Sequence, residues 1–156
     1  MTTIAYRDGV LASDTRAYAG QSQPIGNKQK IYRIKDGSAF GVSTPQPGLS
    51  EAIRDWFAEC KHPDHEPALN GDAGFDMLEI TKDGHVYFYH NSFRPTGPLS
   101  ADYFAIGSGA EYALGAMAAG ASAADAVAAA GFHDVWTGPI VQQIVVFEPV
   151  TEETSE

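Results

Sequence analysis

Residues 2–14 read TTIAYRDGVLASD, and this stretch predicts a β-hairpin immediately after the first methionine. Apolar residues flank the pair Asp8-Gly9 on both sides, and an Asp-Gly pair between such segments is the strongest short-range signal for a hairpin turn. The two strands would cover 3–7 and 10–14. Chain ends are usually frayed, so an early strand would give the first residues an unusually fixed position.

Two further Asp-Gly pairs, at Asp36-Gly37 and Asp83-Gly84, predict two more hairpins of the same kind. Their strands would cover 30–35 with 38–43, and 75–81 with 85–90. Single strands are expected at 103–106 and in the apolar run at 144–147. Segments 61–74 and 91–100, rich in Pro, Gly, Asn and Asp, are expected to be loops.

Helices are predicted from periodicity. Apolar residues recur every three or four positions from Leu49 to Cys60, which indicates a helix over 48–60. Two alanine-rich segments follow at 109–119 and 122–131, and the second opens with a capping pattern. This order of hairpins and helices predicts an α+β protein with antiparallel sheets and helices packed outside them.

Length and composition favour one globular domain. The chain has 156 residues, of which 44% are hydrophobic and 19% charged, and about 150 residues bury roughly two thirds of their unfolded surface. We expect a single domain over 1–148, followed by an acidic, disordered tail over 149–156.

The charge argues against several classes of partner, and the cysteine content bears on the location of the protein. The net charge of -10 disfavours nucleic acid and anionic lipid, and no apolar run approaches the length of a membrane span. Cys60 is the only cysteine, so no internal disulfide forms. Because the first residues also lack the basic and apolar regions of a signal peptide, a cytoplasmic location is expected.

Thr2 would become the first residue once Met1 is removed, and such a threonine can combine two catalytic roles. Its hydroxyl can attack a carbonyl carbon while its own α-amine accepts the proton. The amine has a reference pKa of about 7.7 to 8.0, and a nearby cation lowers that value. Lys30 is the candidate cation. A retained Met1 would acylate the amine and abolish its role as base.

Four motifs, in the order TTIAYRDGVLASDT, KIYRI, FAIGSGAEYA and HDVWTG, resemble those of proteasome β subunits and the HslV peptidase. These proteins are N-terminal nucleophile hydrolases. The resemblance covers most of the chain and implies a four-layer αββα sandwich with two antiparallel sheets flanked by helices.

The resemblance also implies a set of site residues. Thr2 corresponds to the catalytic threonine, Asp14 to the aspartate that holds the catalytic lysine, and Lys30 to that lysine. Ser108 corresponds to the serine that hydrogen-bonds the α-amine. The family's supporting pattern of aspartate, two residues, serine and glycine is matched by Asp134, Thr137 and Gly138, with threonine in place of serine, and Gly138 is expected to lie on the substrate-binding side.

The chain departs from the family at the oxyanion hole. A glycine-rich stretch usually supplies a backbone N–H there, but residues 41–48 read GVSTPQPG, so the donor would be Ser43 or Thr44. Without glycine at position 43 or 44 the backbone φ angle is restricted there. Loss of one oxyanion donor typically lowers the rate about 10²- to 10³-fold.

Each of these residues also has a purely structural interpretation. Asp14 could end a strand, Lys30 could lie on an edge strand, and Ser108 could cap a helix. Asp134 and Thr137 could form a side-chain turn in a loop. In the segment CKHPDH, Cys60, His62 and His65 could supply zinc ligands, although a second half at the usual spacing is missing.

The resemblance implies a threonine endopeptidase that acts on peptides or unfolded proteins and needs no metal or organic cofactor. Relatives assemble as homo-oligomeric rings or stacked rings, often fed by an AAA+ unfoldase. Two alternatives stay open: a catalytically silent, ring-forming homologue with structural or binding function, and an amidase that acts on small molecules.

Overall fold

The computed structural model describes residues 2–19 and 23–147, which form eleven strands and three α-helices. The strands are β1 (Thr3–Arg7), β2 (Val10–Asp14), β3 (Arg16–Ala19), β4 (Gln23–Asn27), β5 (Ile31–Arg33), β6 (Ala39–Ser43), β7 (Asp76–Ile80), β8 (Val86–His90), β9 (Thr96–Leu99), β10 (Tyr103–Gly107) and β11 (Val141–Val145). The helices are α1 (Leu49–Ala58), α2 (Ala110–Ala118) and α3 (Ala123–His133), with a 3₁₀ turn at Pro63–His65.

Two antiparallel sheets form the centre of the molecule. The first has the order β10-β1-β2-β11 and the second the order β5-β6-β7-β8-β9. A separate ribbon, β3-β4, extends from the end of β2. Strand β1 lies in the interior of its sheet with β2 and β10 as neighbours, which gives residues 3–7 a fixed position.

Three apolar clusters join four layers. Ile4 and Leu11 of the first sheet meet Leu78 and Ile80 of the second in the central cluster. Helix α1 covers the outer face of the second sheet through an aromatic cluster that includes Trp56. Small residues of α2 and α3 cover the outer face of the first sheet. The predicted αββα sandwich is therefore confirmed.

The three predicted hairpins, the three helices and strand β10 all form, with ends within two residues of the prediction. The last strand is an exception to this accuracy, because it lies at Val141–Val145 rather than at 144–147. It pairs with β2 over its whole length, and this pairing, rather than the local apolar run, sets its limits.

The β3-β4 ribbon was not predicted, and β9 lies within the segment 91–100 that we expected to be a loop. Both β4 and β9 contain a proline and a glycine, residues that argue against an interior strand. Each strand pairs on one side only, where proline is tolerated. Met1 and the predicted tail over 149–156 lie outside the described residues.

Candidate active site

The hairpin β1-β2 brings Thr2 and Asp14 together. Ile4 pairs with Ser13 across the hairpin, so the residues just before Ile4 lie beside Asp14. Thr2 Oγ1 donates a hydrogen bond of 2.6 Å to Asp14 Oδ1, and the backbone N–H of Thr3 donates to the same oxygen at 3.1 Å. All three residues are buried.

Asp14 is the centre of a larger set of donors. Its second oxygen, Oδ2, accepts hydrogen bonds from the backbone N–H groups of Arg16 at 3.2 Å and Gly138 at 3.0 Å. Lys30 Nζ lies 3.1 Å from Oδ1 and 3.0 Å from Oδ2. A buried carboxylate requires such partners, and these donors compensate Asp14 for the hydration that it loses on burial.

Lys30 precedes β5 and is almost fully buried. Burial lowers the pKa of its ammonium group below the usual value, because the charged form loses hydration. The carboxylate of Asp14 opposes this shift, while the positive charges of Lys28 and Arg16 add to it. The site therefore holds a cation whose proton is less firmly bound than that of an exposed lysine.

A second network contains Ser108, Asp134 and Thr137. Ser108 Oγ donates to Asp134 Oδ2 at 2.7 Å and lies 3.3 Å from the carbonyl oxygen of Thr2. Thr137 Oγ1 donates to the same carboxylate oxygen at 2.5 Å. Ser108 follows β10, and its neighbour Gly107 has φ +97° with no room for a side chain, since a Cβ would lie 2.0 Å from the Thr2 carbonyl oxygen.

Thr3 joins the two networks, a role that we did not predict. Its hydroxyl lies 2.6 Å from Thr137 Oγ1. Because the single proton of Thr137 is given to Asp134, Thr3 must be the donor in this pair. A Cβ on Gly109 would lie 2.0 Å from Thr3 Oγ1, so glycine is required here. Alternation along β1, which turns Thr3 and Ala5 toward the helices, was the available signal.

The structure therefore brings Thr2, Asp14, Lys30 and Ser108 into one contiguous site, with Asp134 and Thr137 behind it. Gly138 also belongs to this site. Its N–H group donates to Asp14, so in this structure it holds the carboxylate rather than facing a substrate.

The two candidates for the oxyanion hole lie on different sides of the site. Ser43 borders a shallow groove of about 310 Å³ together with Gly107 and Ser108. Thr44 borders a deeper cleft of about 440 Å³ together with Thr2 and Lys30. Its hydroxyl donates to the carbonyl oxygen of Gly74 at 2.8 Å, which holds the β6-α1 connection against the rest of the sheet.

The segment CKHPDH (60–65) follows α1 and contains the 3₁₀ turn. His62 stacks on His65 with 4.4 Å between ring centroids, and His65 Nδ1 lies 2.7 Å from Glu59 Oε2. Over residues 2–19 and 23–147, no three His, Cys, Asp or Glu side chains are placed to hold a metal ion. In the same part of the chain, no helix has the length and hydrophobicity needed to cross a membrane.

The sequence matches no family profile and no curated protein, whereas its fold matches solved structures. The Thiobacillus denitrificans protein BPH, solved in complex with epoxomicin, is 23% identical with a TM-score of 0.64, and the match covers 96% of this chain and 99% of that one. Eukaryotic HslV from Trypanosoma brucei is 15% identical with a TM-score of 0.65, over 92% and 97% of the two chains.

Both matches extend over nearly the whole of each chain, so the likeness concerns the complete sandwich and not one motif. They agree with the resemblance that the four sequence motifs indicated. The chain therefore shares the fold of these two proteins, BPH and HslV.

Proposed function

We propose that this protein is the catalytic subunit of a threonine-type endopeptidase. The observation that carries the proposal is the position of Thr2, whose hydroxyl contacts Asp14 at 2.6 Å beside the buried Lys30 and at the wall of a cleft of about 440 Å³. A cleft of this volume is large enough for a peptide side chain. The fold shared with an HslV protein supports the same conclusion.

The proposed reaction begins after Met1 has been removed. Thr2 Oγ attacks the carbonyl carbon of a peptide bond, and the freed α-amine of Thr2 takes the hydroxyl proton. The C–N bond then breaks, the proton passes to the leaving amine, and an ester joins the acyl group to Thr2 Oγ. Water hydrolyses this ester and regenerates the threonine. No step requires a metal or an organic cofactor.

The neighbouring residues have distinct roles in this mechanism. Lys30 keeps the surroundings of Thr2 electropositive, which favours the neutral amine, and Asp14 balances the charge of Lys30. Ser108 lies close to the backbone of Thr2 and is supported by Asp134 and Thr137. A backbone N–H of Ser43 or Thr44 would stabilise the oxyanion.

We further propose that the protein acts as a homo-oligomeric ring or pair of stacked rings in the cytoplasm, with an AAA+ unfoldase as a partner. Enclosure of the Thr2 sites would protect folded proteins from cleavage and restrict the substrates to peptides and unfolded chains. The likeness to HslV supports this assembly.

A second candidate function is that of a silent homologue that assembles but does not cleave. The observation that favours it is the segment GVSTPQPG, which stands where the family has glycine and which contains Pro45 and Pro47. A retained Met1 would have the same consequence.

Intact mass and covalent labelling test the proposal. An active enzyme should lack the mass of one methionine and should gain one epoxyketone adduct per chain, because an epoxyketone offers electrophilic centres to both the hydroxyl and the amine. Thr2→Ala should abolish labelling and peptide cleavage, and Thr2→Ser should retain part of both. Retention of methionine without labelling would support the silent homologue, and cleavage of small amides alone would indicate an amidase.

A further inference from the structure

The cleft beside Thr2 has a charge opposite to that of the whole chain. Three cationic side chains line it, those of Arg16, Lys28 and Lys30, and no described aspartate or glutamate lines it. The chain as a whole carries a net charge of -10. The cleft is therefore a local positive region on an acidic protein.

The three cations differ in their partners. Lys30 pairs with Asp14 at 3.0 Å, and Lys28 pairs with Glu51 at 2.7 Å. Within residues 2–19 and 23–147, Arg16 makes no salt bridge. Its Nη1 donates to the hydroxyl oxygen of Tyr18 at 3.3 Å, and the other four of its five N–H donors make no hydrogen bond to the residues that the structure describes.

Neighbouring residues hold the Arg16 side chain in the cleft wall. Its guanidinium carbon lies 6.0 Å from the centre of the Tyr18 ring. The Tyr18 hydroxyl donates in turn to the carbonyl oxygen of Val135, and its ring packs edge-on against Trp136. On the other side, a Cβ on Gly138 would lie 2.6 Å from Arg16 Cβ and 3.1 Å from Nε. The guanidinium is thus partly ordered before any ligand binds.

We propose that Arg16 binds the carboxylate of an aspartate or glutamate side chain in the peptide substrate. A planar guanidinium with free donors matches a carboxylate through two parallel hydrogen bonds. Because Thr2 lines the same cleft, the acidic residue lies next to the bond that is cleaved. This inference rests on the proposed peptidase function and adds a preference for acidic residues.

Binding to the Thr2→Ala variant tests the subsite separately from catalysis. Two fluorescein-labelled peptides that differ only by Glu or Gln at one position are compared by fluorescence polarisation. The Glu peptide should bind about tenfold more tightly or better, because hydrogen bonds between charged groups are stronger than neutral ones. Equal affinity for the two peptides would overturn the proposal.

Substitution of Arg16 tests which residue is responsible. In the Thr2→Ala background, Arg16→Gln should bring the affinity ratio of the Glu and Gln peptides to about one. Arg16→Lys should give an intermediate ratio, since it keeps the positive charge but loses the planar guanidinium that makes two parallel hydrogen bonds. Arg94→Gln is the matched control, because Arg94 is exposed and lines neither the cleft nor the groove. A tenfold preference that survives Arg16→Gln would also refute the assignment.

Cleavage by the protein with an intact Thr2 then separates the two proposals. Fluorogenic peptides with Glu or Gln before the scissile bond should differ about tenfold in kcat/KM. Cleavage of both peptides at equal rates would leave the peptidase proposal standing and exclude the acidic subsite. If the Thr2→Ala variant prefers the Glu peptide but the parent protein cleaves neither peptide, the peptidase proposal is excluded and the binding subsite is supported.

Discussion

Replacement of Asp14 by asparagine tests whether this carboxylate holds the candidate site together. Asp14 is fully buried, and each of its oxygens faces three donor contacts. Those on Oδ1 come from Thr2 Oγ1, Thr3 N and Lys30 Nζ, and those on Oδ2 come from Arg16 N, Gly138 N and Lys30 Nζ. Whichever way an asparagine amide is turned, three donors would face its NH₂ group.

The expected loss of stability is large. Lys30 would remain buried after losing the carboxylate of Asp14, and removal of one member of a buried pair typically costs about 3–5 kcal/mol. Domains have free energies of unfolding of roughly 5–15 kcal/mol. At about 2–4 °C per kcal/mol for a chain of this size, the melting temperature should fall by about 6–20 °C. Urea unfolding followed by tryptophan fluorescence, at matched protein concentration, measures the loss directly.

Two further variants make the test specific. Asp83→Asn is the matched control, because Asp83 is exposed in an Asp-Gly turn where Asn-Gly fits equally well, and it should change stability by less than about 0.5 kcal/mol. Adding Lys30→Met to Asp14→Asn should recover part of the loss, since it removes the buried charge that has lost the carboxylate of Asp14. A loss below about 1 kcal/mol for Asp14→Asn, or no recovery in the double variant, would refute the reasoning.

Three other predictions concern the surroundings of the site and the second sheet. Thr3→Val should cost about 1–3 kcal/mol in urea unfolding because it removes the hydrogen bond to Thr137, whereas Thr3→Ser should retain most of the stability; equal losses would contradict the assigned role. Gly109→Ala should destabilise by about 1–3 kcal/mol through the contact with Thr3 Oγ1. The control is Gly115→Ala, at a helical position with open space, which should stabilise by up to about 1 kcal/mol. No loss of stability in Gly109→Ala would count against close packing between Gly109 and Thr3. Burial and the neighbouring carboxylate of Glu79 raise the pKa of the Tyr89 phenol, so the folded chain keeps a proton that the unfolded chain releases above about pH 10. Stability should therefore fall as the pH rises past 10. In an absorbance titration at 295 nm, the folded Tyr89→Phe variant and the folded parent protein should ionise the same number of phenols near pH 10. One phenol fewer in the variant would show that Tyr89 ionises normally and would disprove the prediction.

The Asp-Gly turns, the apolar periodicity and the motif order could all be interpreted from the sequence because they are local. Each hairpin is specified by a two-residue turn and its adjacent strands, and α1 by a stripe with helical spacing. Thr2, Asp14, Lys30 and Ser108, which the resemblance to HslV and proteasome β subunits singled out in the sequence, lie close together in the structure. Their chemical roles remain proposals.

The tertiary structure decided which atoms meet. Thr3 and Thr137 are 134 residues apart, and only the packing of α3 against β1 and β2 brings their hydroxyls together. The limits of β11 were likewise set by its pairing with β2, and β4 and β9 form despite their prolines because each has a partner on one side only. The positive cleft depends on the same kind of information, since only the positions of its neighbours in space reveal that Arg16 forms no salt bridge with the described residues. Local patterns thus determined the elements and the residue types of the site. Contacts between distant segments determined its hydrogen bonds and charge balance, because burial and pairing are properties of the folded chain.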